Sequence, residues 1–223
     1  MRIDPIDTHE FIRSVRPALE DADAQALASA VLTRWKPPQL CQLLHHGDSG
    51  VRKLVCVTLG LIGDDRVVSC LAHTLKDEDP QVNEMAEHAL WSIWFRGGTD
   101  AAQRMFRQGL EAMEHADLSR AVDKLNKACG LDPTFAEAHN QRSLCHYMAE
   151  RWHDSLDAAG EAVAQMPYHF GALAQMGHAY VQIGEMDAAA DCYRQALDIN
   201  PRIHAVAMAL GRLHRGALVR QAM

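Results

Sequence analysis

Apolar side chains recur along the chain at intervals of three and four residues, which is the spacing of one face of an α-helix. In the first hundred residues this pattern predicts helices at about 8–19 and 23–35, followed by two helical hairpins. The key positions of the first hairpin realign on those of the second after a shift of 31 residues: Leu40, Leu44, Asp48, Val51, Val55, Leu59 and Ile62 match Leu71, Leu75, Asp79, Val82, Ala86, Leu90 and Ile93. This part of the chain is therefore predicted to consist of repeated helical hairpins.

A different period, of 34 residues, holds after residue 100. Proline recurs at this interval, at Pro133, Pro167 and Pro201, and so do two columns of small residues, Gly109, Ser143 and Gly177 and Ala121, Ser155 and Ala189. Small side chains let two helices approach closely, and proline cannot continue a helix but is tolerated where the next one begins. We therefore expect three hairpins at about 102–133, 136–167 and 170–201, with a further helix at about 203–217.

The space between stacked pairs of helices also needs a residue that fills it. Four positions after Ala121 and Ala189 stand the bulky residues Leu125 and Tyr193. The equivalent position of the middle hairpin holds Ala159, which is the exception.

The 34-residue units resemble the tetratricopeptide repeat (TPR) family. The third unit matches its pattern best, through Leu173, Met176, Gly177, Tyr180, Ala189, Tyr193 and Pro201. The second departs most, because His139, Arg142, Ser143 and His146 stand where the family prefers an aromatic residue, Leu, Gly and Tyr. The resemblance implies stacked helical hairpins whose open apolar end is covered by a capping helix.

The 31-residue units resemble short HEAT-like repeats, most clearly in the phrases at 59–65 and 76–82. Together the two resemblances imply an all-α protein with an α-solenoid architecture. Its domains are predicted to be a HEAT-like part over 1–96 and a TPR domain over 100–223, with the C-terminal capping helix at about 203–217.

Composition supports the all-α class and excludes several classes of function. The chain has 34 Ala and only 6 Thr, and alanine is the best helix former whereas threonine favours strands. The net charge of −7 argues against a protein dedicated to binding nucleic acid. No apolar run reaches the length of about 18–20 residues that a membrane span needs, and the N-terminus lacks the order of a secretory signal. These features predict a cytoplasmic protein with no nucleic-acid or membrane partner.

The six cysteines sit mostly within apolar helical patterns, which predicts reduced, buried thiols. One alternative is a zinc site, because Cys41 and His45 are four residues apart on one predicted helix and Cys70 and His73 are three apart on the next. Packing explains these residues better, and it also explains His139 and His146. We therefore expect no metal ion and no cofactor.

Catalytic motifs are missing from the sequence. It contains no GxSxG, Walker loop, GxGxxG or HExxH. Deoxyhypusine hydroxylases are HEAT-like enzymes that hold iron through His-Glu pairs, and the equivalent stretches here, 51–54 and 82–85, carry no such pair. We expect no catalytic residues. A metal-dependent or lyase-type enzyme on HEAT-like repeats remains a minor alternative.

The TPR resemblance implies a groove lined by the first helix of each hairpin. In that register the candidate partner-binding residues are Phe106, Leu110, Met113, Asn140, Gln141, Leu144, Tyr147, Met148, Gln175, His178 and Val181. The apolar members suit an apolar peptide or amphipathic helix, and the amides can bond a ligand backbone. The alternative is that these residues pack internally.

Some TPR proteins capture the acidic C-terminal tails of heat-shock chaperones with a clamp of Lys, Asn and Arg. The corresponding positions here are Phe106, Leu110, Gln141, Gly171 and Gln175, so the clamp is missing. The sequence thus predicts a non-enzymatic adaptor that binds a protein or peptide partner of unknown identity. The alternative is a homo-oligomeric structural unit that uses the groove for self-association.

Overall fold

The computed structural model of the chain describes the backbone of residues 5–221 and the side chains of residues 5–215. Throughout that range the chain is built from helices and turns without a strand, which confirms the all-α prediction. It divides into two compact units, Met1–Arg96 and Gly97–Met223.

The first unit is a succession of short helical hairpins. Its α-helices are α1 (Thr8–Glu20), α2 (Ala24–Leu32), α3 (Pro37–Leu40), α4 (Ser49–Ile62), α5 (Val68–Thr74) and α6 (Pro80–Arg96), with 3₁₀ turns at Cys41–His45 and Asp65–Val67. The two longest helices start beside an aspartate. The carboxylate of Asp48 accepts from the backbone N–H of Gly50 at 2.7 Å, and that of Asp79 accepts from the N–H of Gln81 at 2.8 Å. These side chains bond N–H groups that have no partner within the helix, and so they fix where α4 and α6 begin.

The core of the first unit lies between α4 and α6, which pack directly against each other. Leu59 and Leu90, from the two realigned hairpins, are both completely buried there. A Cβ at Gly60 would lie 2.9 Å from the Cα of Ala89, so the helices cross at a distance that only glycine allows. Leucine burial and this close crossing are what hold the hairpins side by side.

Arg52 of α4 ties this helix to the turn between α5 and α6. Its Nε lies 2.8 Å from Asp77 Oδ2 and its second guanidinium nitrogen 2.9 Å from Oδ1, while the third donates to the carbonyl of His46 at 2.8 Å. Both side chains of the pair are nearly buried, at 8% and 11% exposure. Burial alone would raise the pKa of Asp77, but the hydrogen bonds from Arg52 and from the backbone of Asp79 hold it below its ordinary value.

The cysteines of the first unit correct one prediction. Cys41, in the 3₁₀ turn, and Cys70, in α5, form a disulfide with their Cα atoms 6.1 Å apart. The expectation that all six thiols are reduced is therefore wrong for this pair. It holds for the remaining four, Cys56, Cys129, Cys145 and Cys192, which are free and buried.

The second unit consists of three helical hairpins and a final helix. The hairpins are formed by α7 (Asp100–Glu114) with α8 (Leu118–Leu131), α9 (Ala136–Met148) with α10 (Trp152–Gln165), and α11 (Phe170–Ile183) with α12 (Met186–Ile199). Helix α13 (His204–Gln221) then packs against α12. Each second helix also contacts the first helix of the next hairpin, so the hairpins stack in sequence order.

The turn inside each hairpin has the same backbone geometry. Ala116, Glu150 and Gly184 all lie in the left-handed region, with φ of 57°, 57° and 88°. They are 34 residues apart, which is the period of the repeats. Glycine relieves the steric cost of this conformation in the third hairpin only, so the packing of the helices maintains it in the other two.

Where the two helices of a hairpin cross, a small residue on the first helix lies against a larger side chain on the second in two of the three hairpins. A Cβ at Gly109 would lie 2.8 Å from Leu125 Cγ, and a Cβ at Gly177 would overlap the ring of Tyr193. In the middle hairpin, the hydroxyl of Ser143 instead donates to the carbonyl of Ser155 at 2.7 Å. This buried hydrogen bond explains the exception at Ala159, because it holds the middle pair together where no bulky side chain is present.

Candidate functional site

The first helices of the three hairpins, α7, α9 and α11, lie next to one another and form a continuous surface that we call the first-helix face. Nine of the eleven candidate residues are at least partly exposed here: Leu110, Met113, Gln141, Leu144, Tyr147, Met148, Gln175, His178 and Val181. Met148 is the most exposed of these nine residues, at 50%. The face therefore presents apolar side chains interspersed with amides.

Two candidate residues are not available to a partner, and their assignment to the groove is corrected. Phe106 is 1% exposed, and its ring centroid lies 4.8 Å from that of Phe135 within a core that the first and second hairpins share. Asn140 is 8% exposed and its amide donates to Glu137 Oε2 at 3.2 Å. Both residues stabilise the stack from inside, because the helices lie close enough to enclose them.

A buried polar network lies beneath the first-helix face. Glu137 and His169 are completely buried, and Glu137 Oε2 lies 2.8 Å from His169 Nε2. The amide of Gln141 also donates to this carboxylate, at 2.5 Å. Because Nδ1 of His169 accepts from the N–H of Ala172 at 3.1 Å, its proton is on Nε2 and the ring donates to Glu137.

Sequence reasoning missed the role of this network. Glu137 falls in the register of the groove, and that register alone does not distinguish a solvent-facing acid from a buried one. The available signal was His169, which stands one residue before the first apolar residue of α11, where helix-capping side chains occur.

Among the candidate amides of the described residues, Gln175 has a side-chain N–H group without a hydrogen-bond partner. Its Nε2 is buried and has no hydrogen-bond partner among the residues that the structure describes. A buried N–H without a partner is costly, and rotation of this partly exposed side chain toward solvent would let the N–H donate to a ligand acceptor.

Aromatic side chains from α9, α10, α11 and α12 form a cluster that includes two residues of the face, Tyr147 and His178. The ring of Tyr147 lies 5.0 Å from that of Trp152 and 6.4 Å from that of His178, and Gln182 donates to the Tyr147 hydroxyl at 3.1 Å. The Tyr193 hydroxyl lies 2.7 Å from Nδ1 of His178. Burial raises the pKa of Tyr193 to about 12, and burial together with the charge of Arg212 lowers the pKa of His178. The hydroxyl and the imidazole are therefore both uncharged at physiological pH.

Two of the four residues of the zinc alternative are not available as metal ligands in this structure. Cys41 and Cys70 are bonded to each other, so neither offers a thiolate. In residues 5–215 no three side chains of the metal-ligating types come together. His139 and His146 serve packing: both are buried, His139 Nε2 donates to the carbonyl of Pro133 at 3.0 Å, and burial lowers the pKa of each ring.

No helix in the described part of the chain has both the length and the apolar character that a membrane crossing requires.

Comparison with known proteins identifies the repeats. Residues 12–91 match the HEAT repeats family, and residues 171–203 match the tetratricopeptide repeat family. Heat shock protein STI1 of Saccharomyces cerevisiae is 27% identical over 117 residues, which are 52% of this chain and 20% of that protein. A TPR repeat-containing protein of Rhizobium etli is 23% identical over 126 residues, 56% of this chain and 62% of that protein. The chain thus spans less than two thirds of each of these relatives.

Solved structures give the same fold for the second part. The Sgt2 TPR domain from Aspergillus fumigatus is similar with a TM-score of 0.54 and 16% identity, over 57% of this chain and 85% of that domain. The first TPR of RPAP3, solved with the HSP90 peptide SRMEEVD, has a TM-score of 0.52 and 16% identity, over 53% of this chain and 94% of that one. The predicted order of repeats is confirmed: the chain carries HEAT repeats over residues 12–91 and a tetratricopeptide repeat over residues 171–203, and it is similar in fold to tetratricopeptide repeat domains.

Proposed function

We propose that the second unit binds a peptide or helix of a partner protein on its first-helix face, and that the chain serves as a non-enzymatic adaptor. The observation that carries this proposal is the run of partly exposed apolar side chains on α9 and α11. Leu144, Tyr147, Met148 and Val181 are all partly exposed. Apolar side chains at helical spacing form the kind of surface that receives the apolar face of a peptide or helix.

The polar groups of the face support a ligand with a peptide backbone. Gln175 Nε2 is buried and has no partner within the described residues, so after rotation of its partly exposed side chain it would donate to a peptide carbonyl. The first TPR of RPAP3, which has a similar fold, was solved with a bound HSP90 peptide. This similarity supports a peptide as the class of ligand.

The chemistry of the ligand differs from that of an acidic tail. At the five clamp positions the chain carries Phe106, Leu110, Gln141, Gly171 and Gln175, and none of these is cationic. Phe106 is buried, and Gln141 donates to the carboxylate of Glu137 rather than offering a positive charge. We therefore propose a partner segment whose anchors are apolar.

The test uses two substitutions that place the same charge on equally exposed apolar residues. Met148, on the first-helix face, is 50% exposed, and Leu131, at the end of α8, is 52% exposed. Ligands are selected from a library of displayed peptides with the unsubstituted chain, and their affinities are then measured for Met148→Glu and Leu131→Glu. We expect Met148→Glu to weaken binding about tenfold or more, because it removes an apolar contact of about 1.5–3 kcal/mol, and Leu131→Glu to change nothing.

Two results contradict the proposal. One is selection of peptides whose affinity is unaffected by Met148→Glu. The other is self-association, measured by light scattering, that Met148→Glu abolishes and Leu131→Glu does not, since a second copy of the chain would then occupy the face.

A further inference from the structure

The disulfide between Cys41 and Cys70 stands apart from the other cysteines of the chain. Cys56, Cys129, Cys145 and Cys192 are all buried and free. Cys41 and Cys70 are both partly exposed. Exposure and pairing therefore coincide at the same two residues.

The buried thiols are also chemically unreactive. Burial raises the pKa of Cys56 to about 12 and those of Cys129 and Cys145 to about 11. The thiolate is the reactive form of cysteine, so these groups do not attack a disulfide at physiological pH. Among the cysteines, therefore, only Cys41 and Cys70 are placed to exchange with thiols and disulfides in solution.

The position of the bond gives it a mechanical role. Cys41 lies in the 3₁₀ turn Cys41–His45 of one HEAT hairpin, and Cys70 lies in α5 of the next. The two residues are separated by 29 positions, and the whole of α4 lies between them. In repeat proteins each unit is stabilised mainly by contact with its neighbours, so a covalent link between adjacent hairpins reinforces the interface that the fold depends on.

We propose that Cys41 and Cys70 form a reversible redox site, which exchanges with low-molecular-weight thiols and disulfides of the glutathione class and fastens or releases the two HEAT hairpins. In the reducing direction, a glutathione thiolate attacks one sulfur of the bond and displaces the other as a thiolate. A second glutathione resolves the mixed disulfide. The net reaction converts the protein disulfide and two glutathione molecules into two protein thiols and glutathione disulfide, and the oxidising direction is its reverse.

Two features of the site favour exchange. Both residues are partly exposed, so an attacking thiolate has access to the bond, and exposed disulfides are the labile ones. The Cα atoms are 6.1 Å apart, within the range that a disulfide spans, so the bond closes without rearrangement of the backbone.

The first experiment counts thiols in the full-length chain. After equilibration with glutathione disulfide, alkylation in denaturant is expected to label four cysteines, with the unlabelled pair mapping to Cys41 and Cys70 by peptide mass spectrometry. After equilibration with reduced glutathione, all six are expected to be labelled. Six labelled cysteines in both conditions, or a pair other than Cys41 and Cys70, would overturn the proposal. So would a pair that stays unlabelled in both, because the crosslink would then be permanent.

The second experiment measures the consequence by hydrogen exchange of the same chain in the two redox states. Reduction is expected to accelerate amide exchange by tenfold or more in the 3₁₀ turn and in α5. Exchange in the second unit, whose cysteines are buried and free, is expected to stay unchanged and serves as the internal control. Unchanged exchange in the first unit would show that the bond does not fasten the hairpins.

Two serine variants distinguish the effect of losing the disulfide from the effect of replacing a cysteine sulfur. Cys70→Ser in glutathione disulfide is expected to show the exchange pattern of the reduced chain, whereas Cys192→Ser is expected to match the oxidised chain. If Cys70→Ser fails to fold, the reduced unsubstituted chain gives the same comparison without a substitution.

Discussion

The imidazole of His169 donates from Nε2 to the carboxylate of Glu137 across 2.8 Å, with both side chains fully buried. His169 stands at the start of α11 and Glu137 in the first turn of α9, so the bond joins the first helices of two neighbouring hairpins. Asn140 and Gln141 donate to the same carboxylate from the next turn of α9. The acid therefore receives donors from both hairpins.

Removal of one member of this pair is expected to destabilise the second unit. His169→Ala takes a donor from a fully buried carboxylate, and the free energy of unfolding should fall by about 3 kcal/mol. Urea denaturation monitored in the second unit measures the loss. Lys127→Ala, which breaks the solvent-exposed pair with Asp123 on α8, is the control and should show no measurable change. Equal effects of the two substitutions would contradict a structural role for the buried pair.

Alanine substitution of two glycines should have opposite effects on the second unit. At Gly177 the new Cβ would overlap the Tyr193 ring, and overpacking of this kind costs about 1–3 kcal/mol. At Gly160, within α10, nothing lies within 4 Å of the new Cβ, so Gly160→Ala should stabilise the helix by about 0.5–1 kcal/mol. Both values come from urea denaturation. A stabilising Gly177→Ala would mean that the small residue is not required for the crossing.

Arg52→Ala is expected to destabilise the first unit. The substitution leaves Asp77, which is 11% exposed, without its bidentate partner and leaves the carbonyl of His46 without its donor. A loss of about 3 kcal/mol is expected from a nearly buried pair. Arg66→Ala is the control, because it removes an ion pair with Asp64 in which the arginine side chain is 66% exposed. This substitution should leave the unfolding midpoint unchanged.

Acidification should destabilise the second unit before its carboxyl groups titrate. Burial lowers the pKa values of His139, His146 and His178, so the unfolded chain binds more protons than the folded one as the pH falls below about 6.5. Stability is therefore complete above that pH and is lost as the pH falls through the lowered values. Urea midpoints at pH 7.5, 6.5 and 5.5 measure the slope. His139→Gln should make it shallower, and an unchanged midpoint over this range would contradict the assignment of buried neutral rings.

The second unit is not expected to bind the acidic peptide SRMEEVD that is present in the RPAP3 structure. The clamp positions carry no cation, and the carboxylate of Glu137 lies directly beneath the face. Calorimetric titration should show a dissociation constant weaker than about 1 mM, which is a binding energy of only about 4 kcal/mol. Binding in the micromolar range would show that donors other than a cationic clamp hold the tail.

The sequence predicts the fold well because the features that determine it are local and periodic. The proline column and the small residues at Gly109 and Gly177 mark hairpins whose helices end and cross where the spacing indicates. Asp48 and Asp79 likewise mark the starts of two helices through hydrogen bonds to nearby backbone groups.

The candidate site was less predictable, because burial depends on how closely neighbouring hairpins stack. The register places Phe106 and Asn140 on the same face as Leu144, yet stacking encloses the first two and leaves the third partly exposed. The disulfide was missed for a different reason. The zinc alternative already placed Cys41 and Cys70 on neighbouring helices, but the apolar pattern around the cysteines favoured reduced thiols over a bond between them.

The three crossings in the second unit use different chemistry: leucine against glycine, serine against serine, and tyrosine against glycine. The first helix of each hairpin is thus complementary to the second helix of the same hairpin, although all three hairpins share one period. The first and second helices of different hairpins are not interchangeable, since Tyr193 opposite Ser143 would collide and Ala159 opposite Gly177 would leave a void. An exchange of whole hairpins would keep each of these pairs together, whereas an exchange that joins helices of different hairpins would separate them.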